Sequence, residues 1–228
     1  MQIELSIDIE SDIEFVFQEI YSNISNNIVG LEIFSQLNSN LVEINDKFET
    51  LDYDDIKNLI IYQIKYIEKL SYHLPISINI PLPCLSDNEF ISYLLFKREV
   101  NFIIEVTDIN DKYYDSYLYS LLKLKEVGFQ LYLDEVDFKD KNVDTILQFN
   151  WDFIKIDLNL ETNKDDCYTN FIQTIRNNIS ENTIIYYNTL SFNEKLNCHY
   201  SQSSDYIYID DLYKKLQEVS IYYNQNIH

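Results

Sequence analysis

The chain has 228 residues, is 46% hydrophobic and carries a formal net charge of −21. Those values suit one folded domain and exclude a disordered chain, and the charge repels phosphate backbones, which argues against direct binding to DNA or RNA. Two glycines in the whole sequence leave no room for a P-loop or a dinucleotide-binding fingerprint.

In chain order, the first twelve residues, MQIELSIDIESD, alternate Ile3, Leu5, Ile7 and Ile9, which predicts an extra strand. They are acidic where an export signal is basic, so the expected location is the cytoplasm. Period-two runs rich in β-branched and aromatic residues then predict strands at Ile13–Gln18, Ile28–Phe34, Ile76–Ile80, Phe102–Val106, Phe129–Leu133, Phe153–Ile156, Thr183–Tyr187 and Tyr206–Ile209. Amphipathic runs predict helices near 54–71, 88–97, 113–126, 142–149, 166–178, 192–198 and 210–221. In the first of these, Ile56, Leu59, Ile60, Ile64 and Ile67 recur at spacings of three and four. Gly128 is placed to end the helix that starts near Tyr113.

This alternation predicts a single α/β domain over residues 1–228, a parallel (β/α)8-type barrel. SNISNN between the first two strands reads as a hairpin, so the first strand is expected to run antiparallel to the second. No apolar run approaches the roughly 20 residues that span a bilayer. Cys84, Cys167 and Cys198 are odd in number and form no CxxC pair, which fits reduced thiols. His73, His199 and His228 show no ligand spacing, and the acidic pairs at 54–55, 165–166 and 210–211 sit where helices start and favour acids.

Polar residues fall at equivalent places on successive strands: Glu32 in IVGLEIF, Asn79 in ISINIP, Glu105 in NFIIEVTD, Asp134 at the end of FQLYLDE, and Lys155 in FIKID. By strand parity each points into the barrel while its apolar neighbours face the helices. Three carboxylates and an amide oxygen make a hard-cation site, suited to Mg²⁺, Mn²⁺ or Ca²⁺. A buried polar network, with Lys155 paired to Asp134 or Glu105, is the alternative reading of the same residues.

Those segments, taken in order, resemble the EAL domains, phosphodiesterases of cyclic di-GMP. FQEIYSNISNNIVGLEIF is similar to the family's QPI…IVGxEAL segment, with Gln18 and Glu32 14 positions apart as in the family pattern. SINI resembles VNLS, EVTD resembles ExTE, GFQLYLDEVD resembles GxxxALDDFG, and IKID resembles the KID segment. The resemblance implies an EAL barrel whose metal ligands are Glu32, Asn79, Glu105 and Asp134, with Mg or Mn bound weakly if at all, and with Glu135 standing for the second Asp of DDFG. It also implies losses. Gln36 replaces a phosphate-holding Arg and offers no bidentate fork. The AEGVE segment falls on Tyr187-Asn188-Thr189-Leu190-Ser191, and the QGY segment falls on Tyr208-Ile209-Asp210, in an ungapped comparison. Two-metal hydrolysis loses ligands on that reading, so no catalytic residue is expected and Lys155 is vestigial.

The resemblance therefore implies an inactive regulator, like the small EAL-like proteins that bind the flagellar master transcription regulator and act on motility or biofilm genes by protein contact. Two other readings stand beside it: a cyclic di-GMP receptor that does not hydrolyse, and an active phosphodiesterase with an unusual site.

Overall fold

The computed structural model describes residues 13–37, 51–70, 74–107, 114–134, 149–157, 173–174, 177, 184–187, 200–203 and 205–214. The first hairpin is β1 (Ile13–Ser22) and β2 (Asn27–Leu37), paired antiparallel as the sequence predicts. Its turn places Asn26 at φ 55, a left-handed position that asparagine tolerates better than most residues. Five strands follow in parallel: β3 (Ile76–Pro81), β4 (Phe102–Thr107), β5 (Leu131–Leu133), β6 (Phe153–Asp157) and β7 (Ile184–Tyr187). β8 (Tyr200–Gln202) is parallel to β7 and antiparallel to the far end of β1. Because β1 holds β2 on one edge and β8 on the other, the sheet closes on itself. A short β9 (Ile207–Tyr208) follows β8 and pairs with β1 at Val16 and Phe17.

The helices form where their apolar stripes can cover this sheet. α1 (Tyr53–Ile67) is capped by Asp52, whose carboxylate accepts from the backbone N–H groups of Asp54 and Asp55 at 3.0 and 2.9 Å. It buries Ile60, Ile64 and Ile67. A 3-10 turn at Leu82–Ser86 leads into α2 (Asn88–Phe96), capped by Asp87. α3 (Tyr114–Glu126) ends as predicted at Gly128, which has φ +100. The Phe129 N–H reaches back to the Leu124 carbonyl and the Gly128 N–H to that of Lys125, a Schellman closure. Nothing would touch a Cβ at Gly128, so backbone strain alone should make Gly128→Ala destabilising by about 1 kcal/mol, read by urea denaturation. Residues 209–214 are helical, so the helix expected at 210–221 starts one residue earlier and takes Ile209 out of the expected strand.

The main core lies between sheet and helices, with Phe17, Leu31, Ile64, Ile78 and Leu94 fully buried. Cys84 is part of it, as expected of a small hydrophobe. A second cluster fills the barrel itself: Ile20, Ile103 and Tyr132, joined by Phe153 and Tyr200. The Tyr132 and Phe153 rings pack tilted with centroids 4.7 Å apart, and Phe153 meets Tyr200 edge-on at 5.4 Å. Among the described residues no helix is long and apolar enough to cross a membrane.

Three expectations need correction. The strand drawn at Tyr206–Ile209 is not the partner of β7; that place belongs to Tyr200–Gln202, and Ile207–Tyr208 pairs with β1 instead. β1 runs on to Ser22, past the expected end at Gln18, because its second half must reach β8. Strand β5 starts at Leu131, not Phe129, since Phe129 and Gln130 are taken up by the exit from α3. The expected strand at the N-terminus and the helices at 142–149 and 192–198 lie outside the described residues, apart from the last position of the first helix, Phe149, which is not helical.

Candidate functional site

One polar layer sits directly above the aromatic floor. Five of its members are two residues along the chain from a floor residue: Glu105 from Ile103, Asp134 from Tyr132, Lys155 from Phe153, Gln202 from Tyr200 and Gln18 from Ile20. The two-residue period of a strand makes this unavoidable once the floor faces inward. Register does the rest. Asn79 on β3 lies beside Glu105 on β4, and Glu32 on β2 lies beside Ser77 on β3 and opposite Gln18 on β1.

The five residues that the sequence singles out do converge. Lys155 Nζ donates to Glu32 at 2.5 Å, to Glu105 at 2.7 Å and to Asp134 at 3.3 Å. Asn79 Nδ2 donates to Glu32 Oε1 at 2.5 Å. Each of the three carboxylates offers an oxygen within 4.8 Å of the others. Glu32, Glu105 and Lys155 are essentially sealed from solvent, at 1%, 0% and 1% exposure.

Charge in this setting is strongly perturbed. Burial alone would lower the Lys155 pKa, but the combined attraction of Glu105, Glu32 and Asp134 overcomes it and holds the ammonium well above the ordinary lysine range. One ammonium faces three carboxylates, so negative charge is in excess. Glu105 takes the consequence: burial, then the neighbouring charge of Glu32, pushes its carboxyl well above the ordinary glutamate range, against the pull of Lys155. Beneath them, burial and the Glu105 charge also raise the Tyr132 phenol.

Gln202 was missed by the sequence reading. Its Nε2 donates to Glu32 Oε2 at 2.6 Å and to Gln18 Oε1 at 2.8 Å, so the last barrel strand does bring a glutamine into the site. The ungapped comparison placed the QGY segment on Tyr208-Ile209-Asp210 and found no glutamine there. The strand that follows β7 ends instead in Ser201-Gln202, and that assignment is corrected. The available sign was the alternation of Tyr200 and Gln202 in a β-rich run just after the expected helix at 192–198.

The donors fit a hard divalent cation. All are oxygens, and three of the buried oxygens in this layer, Asn79 Oδ1, Glu105 Oε1 and Gln202 Oε1, have no hydrogen-bond donor among the described residues. Buried acceptors without partners are uncommon and are what a cation satisfies. Lys155 and the amide nitrogens of Asn79 and Gln202 meet the charge of Glu32 from within the protein. Gln36 lies on β2 opposite Glu14, beyond Glu32 toward the end of the strand, and is partly exposed. Glu135 and the segment 188–191 lie outside the described residues.

Comparison with solved structures agrees with this architecture. The Bacillus subtilis YkuI protein, with an EAL domain and in complex with substrate c-di-GMP and calcium, is 16% identical, with a TM-score of 0.64 over 96% of this chain. The chain spans 62% of the length of that protein. An EAL domain protein of Listeria monocytogenes EGD-e is 17% identical, with a TM-score of 0.64, over 90% of this chain and 93% of its own. The S helix-GGDEF-EAL structure of Vibrio cholerae LapD, in its apo form, is 17% identical, with a TM-score of 0.65, over 85% of this chain and 53% of its own. At such identities the likeness carries the fold alone. No curated protein matches the chain. The model of the EAL domain family matches residues 3–183, well over half of the sequence, and the chain therefore belongs to the EAL domain family.

Proposed function

We propose that this EAL domain is a regulator that acts by contact with another protein, without turning over cyclic di-GMP. The observation that carries the reading is the Lys155 ammonium, held among Glu32, Glu105 and Asp134. The ammonium, with a proton held on Glu105, offsets the charge of the carboxylates that would serve a metal, so the barrel can stand without one. Gln36, where the family resemblance calls for an Arg, leaves a nucleotide phosphate without its fork. The net charge of −21 favours a basic protein surface as partner. By resemblance to the small EAL-like proteins, the partner is a transcription regulator of motility or biofilm genes. Purified protein with cyclic di-GMP and Mn²⁺ should release no linear product above the buffer rate. A tagged chain should retain the flagellar regulator subunit in a pull-down, and overexpression should reduce swimming. Steady turnover that vanishes in Glu32→Ala, or no regulator recovered together with normal swimming, would count decisively against the proposal.

A second reading, a receptor that binds cyclic di-GMP without hydrolysis, is favoured by the donorless oxygens of Asn79, Glu105 and Gln202. A divalent cation held by Glu32, Asn79, Glu105 and Asp134, with Gln202 beside them, would supply the positive charge that Gln36 does not. Calorimetry with the dinucleotide, with and without Mg²⁺ or Ca²⁺, separates the two readings. Micromolar affinity that requires the metal supports the second.

A further inference from the structure

Glu32, Glu105 and Lys155 are sealed from solvent, so an ion needs a route to them, and among the described residues one loosely held part lies on the Glu32 side of the mouth. Phe34 stands two residues beyond Glu32 on β2, so it shares the inward face one step nearer the barrel mouth. The Tyr206 ring meets Phe34 edge-on, with centroids 5.4 Å apart and planes at 78°. Tyr206 is near enough to Glu32 for that charge, after burial, to raise its phenol pKa. These two rings therefore stand beside Glu32 on the β2 side of the mouth.

Tyr206 is held loosely. It is 49% exposed, so it gives up little apolar burial by moving away. Among the described residues, the segment that carries it is fastened to β1 by the β9 pairs Val16–Tyr208 and Phe17–Ile207 and, ahead of them, by the Ser203 N–H donating to the Glu19 carbonyl at 2.9 Å. The other neighbours of Glu32 are fixed by contrast: β1 pairs with β2 over its whole length, and β2 is bonded to β3 from Leu31 to Ile33. Local opening is drawn from segments with few buried contacts and short ladders.

We propose that Tyr206, closing on Phe34, is a hinged cover on the Glu32 side of the barrel mouth, and that a divalent cation reaches the carboxylates by displacing it. The proposal rests on the reading that Glu32, Glu105 and Asp134 take a divalent cation. Cover and cation compete only kinetically: removing the ring speeds both entry and exit and leaves the affinity nearly unchanged.

The test is the rate of Mn²⁺ uptake by the full chain, followed after rapid mixing as loss of the free-ion paramagnetic resonance signal. Tyr206→Ala should take up Mn²⁺ roughly tenfold faster than the parent, with a similar equilibrium constant. Tyr206→Phe keeps the edge contact and should match the parent, as should Tyr119→Ala, which alters an exposed ring on α3 away from the cover. Equal rates in the parent and Tyr206→Ala overturn the cover and leave the cation site standing. No uptake by any of the proteins overturns the cation site and the cover with it.

Discussion

Lys155→Met should destabilise the metal-free protein by about 3–5 kcal/mol, as measured by urea denaturation near neutral pH in the presence of a chelator. Methionine fits the space of the lysine stem and leaves only the charge to lose. Among the described residues it is the ammonium that pairs with Glu32, Glu105 and Asp134 together. Without it, three carboxylates remain within reach of one another in a region closed to water. The carboxylates should then take up protons, so the penalty should shrink on acidification, the reverse of ordinary acid denaturation. Neutralising one of them should also help: Lys155→Met with Glu105→Gln should be more stable than Lys155→Met alone, since a missing partner harms more than a missing pair. Saturating Mg²⁺ or Mn²⁺ should recover part of the loss if the oxygens accept a cation in place of the ammonium. A loss below about 1 kcal/mol would mean that water reaches the cluster in the folded protein.

The sequence made some of this site readable and hid the rest for physical reasons. Glu32, Asn79, Glu105 and Lys155 were found because each interrupts an otherwise apolar strand at an inward position, and a strand has only two faces. Parallel register then placed Asn79 against Glu105 without further information. Lys155 was expected to pair with Asp134 or Glu105; it pairs with both, and with Glu32 at the shortest distance. Gln202 escaped for a different reason. Its strand is three residues, Tyr-Ser-Gln, too short for an alternation of apolar and polar residues to stand out. Nearby, Tyr206–Ile209 has stronger β composition, which predicts the last strand there. That segment does form a strand, but with β1. Composition identified a β-forming run and could not say which edge it would join, because pairing partners in a closed sheet are fixed by distant residues. The same limit applies to β1, whose end at Ser22 is set by Tyr200–Gln202, nearly the whole chain away.

The unequal treatment of the carboxylates leads to a second large effect, on pH. In the folded protein Glu105 keeps its proton well above the ordinary glutamate value of 4.5, whereas in the unfolded chain it releases it near that value. The folded state therefore binds more protons through this window. By linkage, Glu105 contributes stability that is fully present below the unfolded value and is lost as pH rises through the folded one. Without metal, the protein should lose up to about 1.4 kcal/mol per pH unit through this group as pH climbs from mild acid toward its raised value. Glu105→Gln should remove that slope, because an amide has nothing to release. A divalent cation gives the opposite sign to the same group. It binds the ionised carboxylate and displaces the proton, so its affinity should rise with pH, and cation at 100 times its dissociation constant should add about 2.7 kcal/mol. Urea denaturation of the parent and Glu105→Gln from about pH 5 to pH 8, with chelator and with Mn²⁺, tests both signs. Parallel profiles for the two proteins in chelator would show that the proton is not on Glu105. If the profiles differ in chelator but Mn²⁺ stabilises neither protein, the excess negative charge of the cluster is held by a proton and by Lys155 alone, which is the condition the contact-only reading of this barrel requires.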